Sequence, residues 1–184
     1  MLKQFFFATI VTIASLPSIA QTFEITSSDV GSDKTIPNKF VFNGFGCNGN
    51  NLSPEVAWKN VPAGTKSFAL MVHDPDAPTG GAGFWHWVVV NLPASVSSLA
   101  QGAGTADGGA LPQGARQIQT DFGTSGWGGP CPPAGAAPHR YRFTVYALTV
   151  DKLDLPDNAT ASLSGFMINM NMIGKASFTA LYGR

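Results

Sequence analysis

Two proline-rich corners concentrate the side chains that could hold a ligand or react with one. The first reads Asp74-Pro75-Asp76-Ala77-Pro78-Thr79-Gly80-Gly81 and leads into Phe84-Trp85-His86-Trp87. The second reads Gly128-Gly129-Pro130-Cys131-Pro132-Pro133 and leads into Pro138-His139-Arg140-Tyr141-Arg142-Phe143. A carboxylate beside an imidazole fixes the ring's tautomer and favours its charged form. A charged imidazole donates from both nitrogens, and a tyrosine hydroxyl adds a further donor, which suits an anion. The same groups suit acid–base hydrolysis, and Asp74, His86 and His139 together suit a metal ion. Proline fixes φ and removes backbone donors, so both corners are expected to be stiff. Read as structure alone, the first corner is a well-built connection between strands, and His86 is a core histidine inside Phe-Trp-His-Trp-Val-Val-Val.

Other reactive patterns are missing. No Gly-x-Ser-x-Gly elbow marks a nucleophilic serine. No Cys-x-x-Cys or His-x-x-x-His spacing marks a zinc site. His73 belongs to no motif. Asn51-Leu-Ser53 and Asn158-Ala-Thr160 fit the glycosylation pattern, a short match that is frequent by chance.

The whole chain has 184 residues, with 11 basic and 11 acidic side chains. Only 12% of residues are charged, against roughly 25% in an average domain. That excludes a basic nucleic-acid face and a highly charged disordered chain. Hydrophobic residues at 44% supply a core, and 21 Gly with 13 Pro favour a loop-rich β domain over a helical bundle.

Lys3, the apolar run Phe5 to Leu16, and Pro17-Ser18-Ile19-Ala20 follow the grammar of a signal peptide. The run is 12 residues, short of the ~20 that a membrane span needs, so no integral membrane protein is expected. Cleavage after Ala20 leaves 184 − 20 = 164 residues from Gln21, destined for the periplasm or secretion. In an oxidising compartment the two cysteines, Cys47 and Cys131, suggest a disulfide; two separate buried thiols are the alternative.

The positioning elements read mostly as strands. Phe23–Thr26, Lys39–Phe42, Ser67–His73, Phe84–Val90, Arg140–Leu148 and Lys175–Tyr182 are short, rich in aromatic or β-branched residues, and bounded by turn chemistry. Alternation puts His139, Tyr141 and Phe143 on one face and Arg140 and Arg142 on the other. Arg140 is therefore expected in a structural ion pair, with Asp121 as the partner. Leu163, Phe166, Met167, Met170 and Ile173 recur at the helical period, which predicts a helix with this stripe in the core and Asn158 as its N-cap. Gln101–Gly114 is Gly/Ala-rich, without a period, and reads as a long loop. No repeat or linker divides residues 21–184, so one domain is expected.

Five motifs in this order resemble the phosphatidylethanolamine-binding protein family, which includes the Raf kinase inhibitor proteins, and above all its bacterial YbhB/YbcL branch. They are Asp74-Pro-Asp-Ala-Pro78, Phe84-Trp-His-Trp-Val-Val-Val-Asn91, Asp121-Phe-Gly123, Gly129-Pro-Cys-Pro-Pro133 and His139-Arg-Tyr141. Gly46-Cys-Asn-Gly-Asn-Asn-Leu-Ser-Pro54 and Pro62-Ala-Gly-Thr-Lys-Ser-Phe68 extend the match over nearly all of 21–184. The resemblance implies a mostly β fold: a central antiparallel sheet, a smaller second sheet and few peripheral helices. It implies a small pocket for an anion, phosphate or a phospholipid head group, formed by Asp74, Asp76, His86, Pro132, His139 and Tyr141. It implies a binding protein rather than an enzyme, one that engages a partner such as a kinase or peptidase, with no cofactor. A hydrolase or metal protein built on the same Asp/His set is the alternative. A homodimer is compatible with the sequence, which carries no interface signature. Trp127 stands where the eukaryotic members commonly have tyrosine, and the segment between Pro78 and His86 is shorter and Gly-rich.

Overall fold

The computed structural model describes residues 21–184. The expected signal peptide, 1–20, lies outside the described residues. Ten strands and one α-helix follow in the order β1 (Glu24–Thr26), β2 (Asn43–Gly44), β3 (Cys47–Asn48), β4 (Val56–Lys59), β5 (Ser67–Asp74), β6 (Phe84–Pro93), β7 (Ser98–Leu99), β8 (Arg116–Gln117), β9 (His139–Leu148), α1 (Ala161–Asn171) and β10 (Met172–Tyr182). A five-stranded antiparallel sheet runs β10-β9-β5-β6-β8. A three-stranded sheet runs β1-β4-β7, and β2 and β3 form a separate ribbon. The expected fold class is thus the observed one.

The sequence of the central strands follows from their covering. One face of β5 and β6 gives Phe68, Leu70, Val72, Trp87 and Val89 to a core shared with Trp58 and Val56 of the small sheet. The other face gives Ala69, Met71, Val88 and Val90 to a second core closed by Ile168 of α1. Strands covered on both sides lose polar alternation and read as continuous apolar runs, as Ser67–His73 and Phe84–Val90 do. β9 keeps it: His139, Tyr141 and Phe143 are buried, while Arg140 and Arg142 are exposed.

Three local expectations change. Lys39–Phe42 is not a strand; Asn38–Phe40 is one 3-10 turn that tucks Phe40 inside. The helix cap is Thr160, whose Oγ1 accepts from Leu163 N at 3.1 Å, not Asn158. Most of the apolar stripe of α1 faces outward: Leu163 is 38% exposed, Phe166 61% and Met170 70%, and Ile173, 41% exposed, already belongs to β10, while Met167 alone packs, half-buried, against the second core. The buried helix residues are Ala161, Ser164 and Ile168. With Gly165 they make an equally periodic stripe at i, i+3, i+4 and i+7. Small side chains let the helix axis approach the sheet, and Gly165 brings its backbone to the methyl of Met71. Close approach to an already full sheet outweighs burial of the larger side chains.

This orientation separates two sets of substitutions. Ile168→Ala should cost about 2–5 kcal/mol, as buried truncations do. Phe166→Ser and Met170→Lys should each stay within about 0.5 kcal/mol. Urea denaturation of the three variants measures this; a larger loss at Phe166 than at Ile168 would restore the core stripe.

Candidate functional site

Strand order brings the two corners together. β5 ends at Asp74, the chain turns through Pro75–Pro78, and β6 returns with His86. β9 lies on the other side of β5 and begins at His139, so Asp74 meets the imidazole: Asp74 Oδ2 accepts from His139 Nδ1 at 2.7 Å, with both side chains buried. Asp74 Oδ1 accepts from Asp76 N at 2.8 Å, an Asx turn that folds the first corner.

His86 reaches the same cleft through an irregularity. Val72 pairs with Trp87 and His73 pairs with Trp85, which leaves His86 as an extra residue in β6. A bulge of this kind re-aims a side chain. Strict alternation would set His86 opposite to Trp87; instead its ring lies edge-on to Tyr141 of the core face, centroids 5.0 Å apart. Its Nδ1 lies 2.6 Å from Gly128 O. A carbonyl only accepts, so Nδ1 carries the proton.

Phe45, Asp74, Pro78, Thr79, Phe84, His86, Phe122, Pro132, His139, Tyr141 and Arg184 are among the residues bounding a cleft of about 380 Å³. Five of the six expected ligand residues line it. The sixth, Asp76, does not: its carboxylate accepts from Arg140 N at 2.8 Å, Nε at 2.9 Å and Nη2 at 2.6 Å. Those hydrogen bonds hold Asp76 well below the usual carboxylate range, at about 2. Arg140 therefore pairs with Asp76, not with Asp121, which accepts from Trp85 N at 2.8 Å. Local reach decides: Asp76 sits against the start of β9, beside the very backbone N–H that it also binds.

The electrostatics of His86 differ from expectation as well. Burial pushes its imidazolium down to about 4, and the Gly128 carbonyl and Asp74 counter this only in part. His86 is neutral at physiological pH, so it does not act as one of a pair of charged donors. Tyr141 is fully buried, its hydroxyl has no partner among the described residues, and burial raises its pKa. It remains a neutral O–H. Aromatic rings make the rest of the wall. Phe122 packs on Phe84 (centroids 4.9 Å) and stacks at 6.0 Å with Phe45. Phe45 is held at φ +52° at the tip of the β2–β3 ribbon, a left-handed conformation unusual for a bulky residue. It is 72% exposed there.

Three ties hold the second corner against this wall. Asn51 accepts from Gly129 N at 2.8 Å and donates to Trp127 O at 3.1 Å. Cys131 is joined to Cys47 of the ribbon, Cα atoms 6.0 Å apart, so the bridge rather than two separate thiols is present. Arg184 donates to Pro132 O (2.7 Å), Gly46 O (2.8 Å) and Phe45 O (3.3 Å). Sequence reasoning missed Arg184 as a pocket residue. It lies 138 positions from Gly46, and no local pattern announces such a contact. Among the described residues, no three His, Cys, Asp or Glu side chains stand close enough to hold a metal ion.

Comparison with known proteins follows the same geometry. The family model described as phosphatidylethanolamine-binding protein matches residues 26–183. The UPF0098 protein YbcL of Escherichia coli is 45% identical over 181 residues, covering 98% of this chain and 98% of YbcL. Its crystal structure superposes with a TM-score of 0.85 at 48% identity, over 88% of this chain and 98% of that one. The UPF0098 protein YbhB of Escherichia coli is 46% identical over 159 residues, 86% of this chain and 99% of YbhB. A Mycobacterium tuberculosis relative named as a lipoprotein, LppC, is 34% identical over 175 residues, 95% of this chain and 79% of LppC.

Two outcomes test this site's construction. An unfolded His86 titrates near about 6.5, whereas the folded one does so at about 4. Between those values the unfolded chain binds a proton that the folded chain refuses. Stability is then full above about pH 6.5 and falls as pH drops towards 4. His86→Asn should flatten that slope in urea denaturation between pH 7.5 and 5; an unchanged slope would contradict the buried neutral ring. The disulfide closes a separation of 84 residues, for which the chain-entropy model gives about 4.5 kcal/mol. Guanidinium midpoints of oxidised and reduced protein should differ accordingly, and identical midpoints would refute the contribution.

Proposed function

The chain belongs to the phosphatidylethanolamine-binding protein family, and on that premise we propose an exported, non-enzymatic binding protein. Its pocket takes a small anionic group, phosphate or a phospholipid head group, and it acts by engaging another protein, such as a kinase or peptidase. The observation that carries the reading is the convergence of His86, His139 and Tyr141 on one cleft with apolar walls. Each imidazole is anchored from behind through Nδ1, which leaves its Nε2 for a ligand. A few converging polar groups in an apolar concavity are the usual form of a small-ligand site. Arg184 places a permanent positive charge in the wall.

Export is supported by the leader-like residues 1–20, by the disulfide, which persists in oxidising compartments, and by the lipoprotein name of the LppC relative. Residues 21–184 are then the mature domain. No described helix is long and apolar enough to cross a membrane.

Calorimetry with inorganic phosphate tests the pocket. His139→Ala should weaken binding by about 1.5–3 kcal/mol, the range for hydrogen bonds to charged groups. Lys175→Ala, exposed on β10 away from the cleft, should leave it unchanged. Equal affinity for wild type and His139→Ala would show that the pocket is assigned wrongly.

A further inference from the structure

The hydrogen-bond inventory of the pocket narrows the ligand class. Gly128 O fixes the single ring proton of His86 on Nδ1, at 2.6 Å. Nε2 then presents a lone pair to the cleft and can only accept. Burial keeps the ring in this form down to about pH 4. The charged and titratable groups around it do not change that role. Asp74, on β5, and Asp121, before the second corner, favour a charged ring, while His73 on β5 disfavours it. His139 and Tyr141 face it from β9, and Arg184 also lines the cleft. Tyr141 brings a hydroxyl without a protein partner, able to donate. The cleft therefore pairs one obligate acceptor, His86 Nε2, with one neutral hydroxyl donor, that of Tyr141.

A phosphodiester, or a fully ionised phosphate, brings only lone pairs and would set one against Nε2 of His86. A phosphate monoester in its singly protonated state brings an O–H as well as ionised oxygens. We infer that the pocket selects singly protonated phosphate monoesters over diesters, with the ligand's P–OH donating to His86 Nε2 and an ionised oxygen turned to the Tyr141 hydroxyl. This rests on the anion-pocket reading above. Size is not the selector, since about 380 Å³ admits either small ligand. It separates two sources of the same phosphoryl chemistry. Monoesters carry the needed proton; the diester linkage of an intact phospholipid head group does not.

The second pKa of a phosphate monoester is about 6. At pH 8 the ligand is a dianion, so binding its protonated form must take up close to one proton. At pH 5.5 the ligand already carries the proton, and uptake should fall towards zero. The experiment is calorimetry of the chain from Gln21 onward with methyl phosphate and dimethyl phosphate, at pH 8 and 5.5. Each titration is run in two buffers of different ionisation enthalpy. At pH 5.5 both ligands carry mainly a single negative charge, so charge does not account for a difference there. Methyl phosphate should bind about tenfold more tightly or better, the effect of leaving one buried acceptor unpaired. In ¹⁵N NMR at pH 8, His86 Nε2 should sit in the unprotonated range and move on adding methyl phosphate. Equal affinities without proton uptake would overturn this inference and leave the anion pocket intact. Absence of binding by both esters and by inorganic phosphate would overturn the pocket reading itself, and this inference with it.

Discussion

The double covering of β5 and β6 governs where polar chemistry can occur in this molecule. With one core under the small sheet and another under α1, a polar side chain inside either strand must find a partner or be expelled to a strand end. Asp74 and His139 sit at strand ends and satisfy each other. His86 lies inside β6, and it is admitted by the bulge that turns it onto the Tyr141 side and by the Gly128 carbonyl that accepts from its Nδ1. The pocket is thus the place where the central sheet runs out of hydrophobic cover. Its polar atoms are what remains once every rear-facing donor has been used.

That origin explains the distribution of labour between the corners. Asp76 looks like a second catalytic or binding carboxylate when read along the chain. In space its oxygens are spent on the Arg140 guanidinium and backbone, so it locks the first corner to β9. The second corner has no such carboxylate. It is fixed instead by Asn51, by the Cys47–Cys131 bridge and by Arg184. These ties come from two distant parts of the chain, residues 47–51 and Arg184, and meet on residues 127–133. A wall held in this way loses little entropy when a ligand arrives, and such preorganisation favours affinity.

Much of this was legible in the residues because it follows local rules. Apolar runs bounded by turn chemistry located β5, β6 and β9, and period-two alternation placed His139 and Tyr141 together on β9. Ordered motifs, rather than any single one, carried the family. What was not legible depends on contacts between distant segments. The two-residue strands β2, β3, β7 and β8 are too short to carry a period. The bulge is invisible because Phe-Trp-His-Trp reads the same with or without it, and with it went the burial that keeps His86 neutral. The α1 stripe misled because two stripes are periodic there, and periodicity does not say which one the sheet can accept. The Arg140–Asp76 pair is not legible because the Asx turn at Asp74, which swings Asp76 towards β9, has no signature beyond Asp-Pro-Asp itself.

A carboxylate in an anion site requires an explanation, and the geometry supplies one. Asp74 is buried in the wall of the cleft, where its charge should repel a phosphate. Its two oxygens are turned away from that role: Oδ1 accepts from Asp76 N and Oδ2 from His139 Nδ1. Hydrogen bonds to the charged form stabilise it, and they also direct its lone pairs into the protein. Arg184 adds a cation to the cleft wall. Removing Asp74 would take away the repulsion, but it would also release the His139 ring, whose Nε2 direction depends on the Nδ1 contact. Orientation outweighs repulsion here because a freed ring can turn its Nε2 away from the cleft altogether, whereas the carboxylate's field is already met by two N–H groups within hydrogen-bond distance.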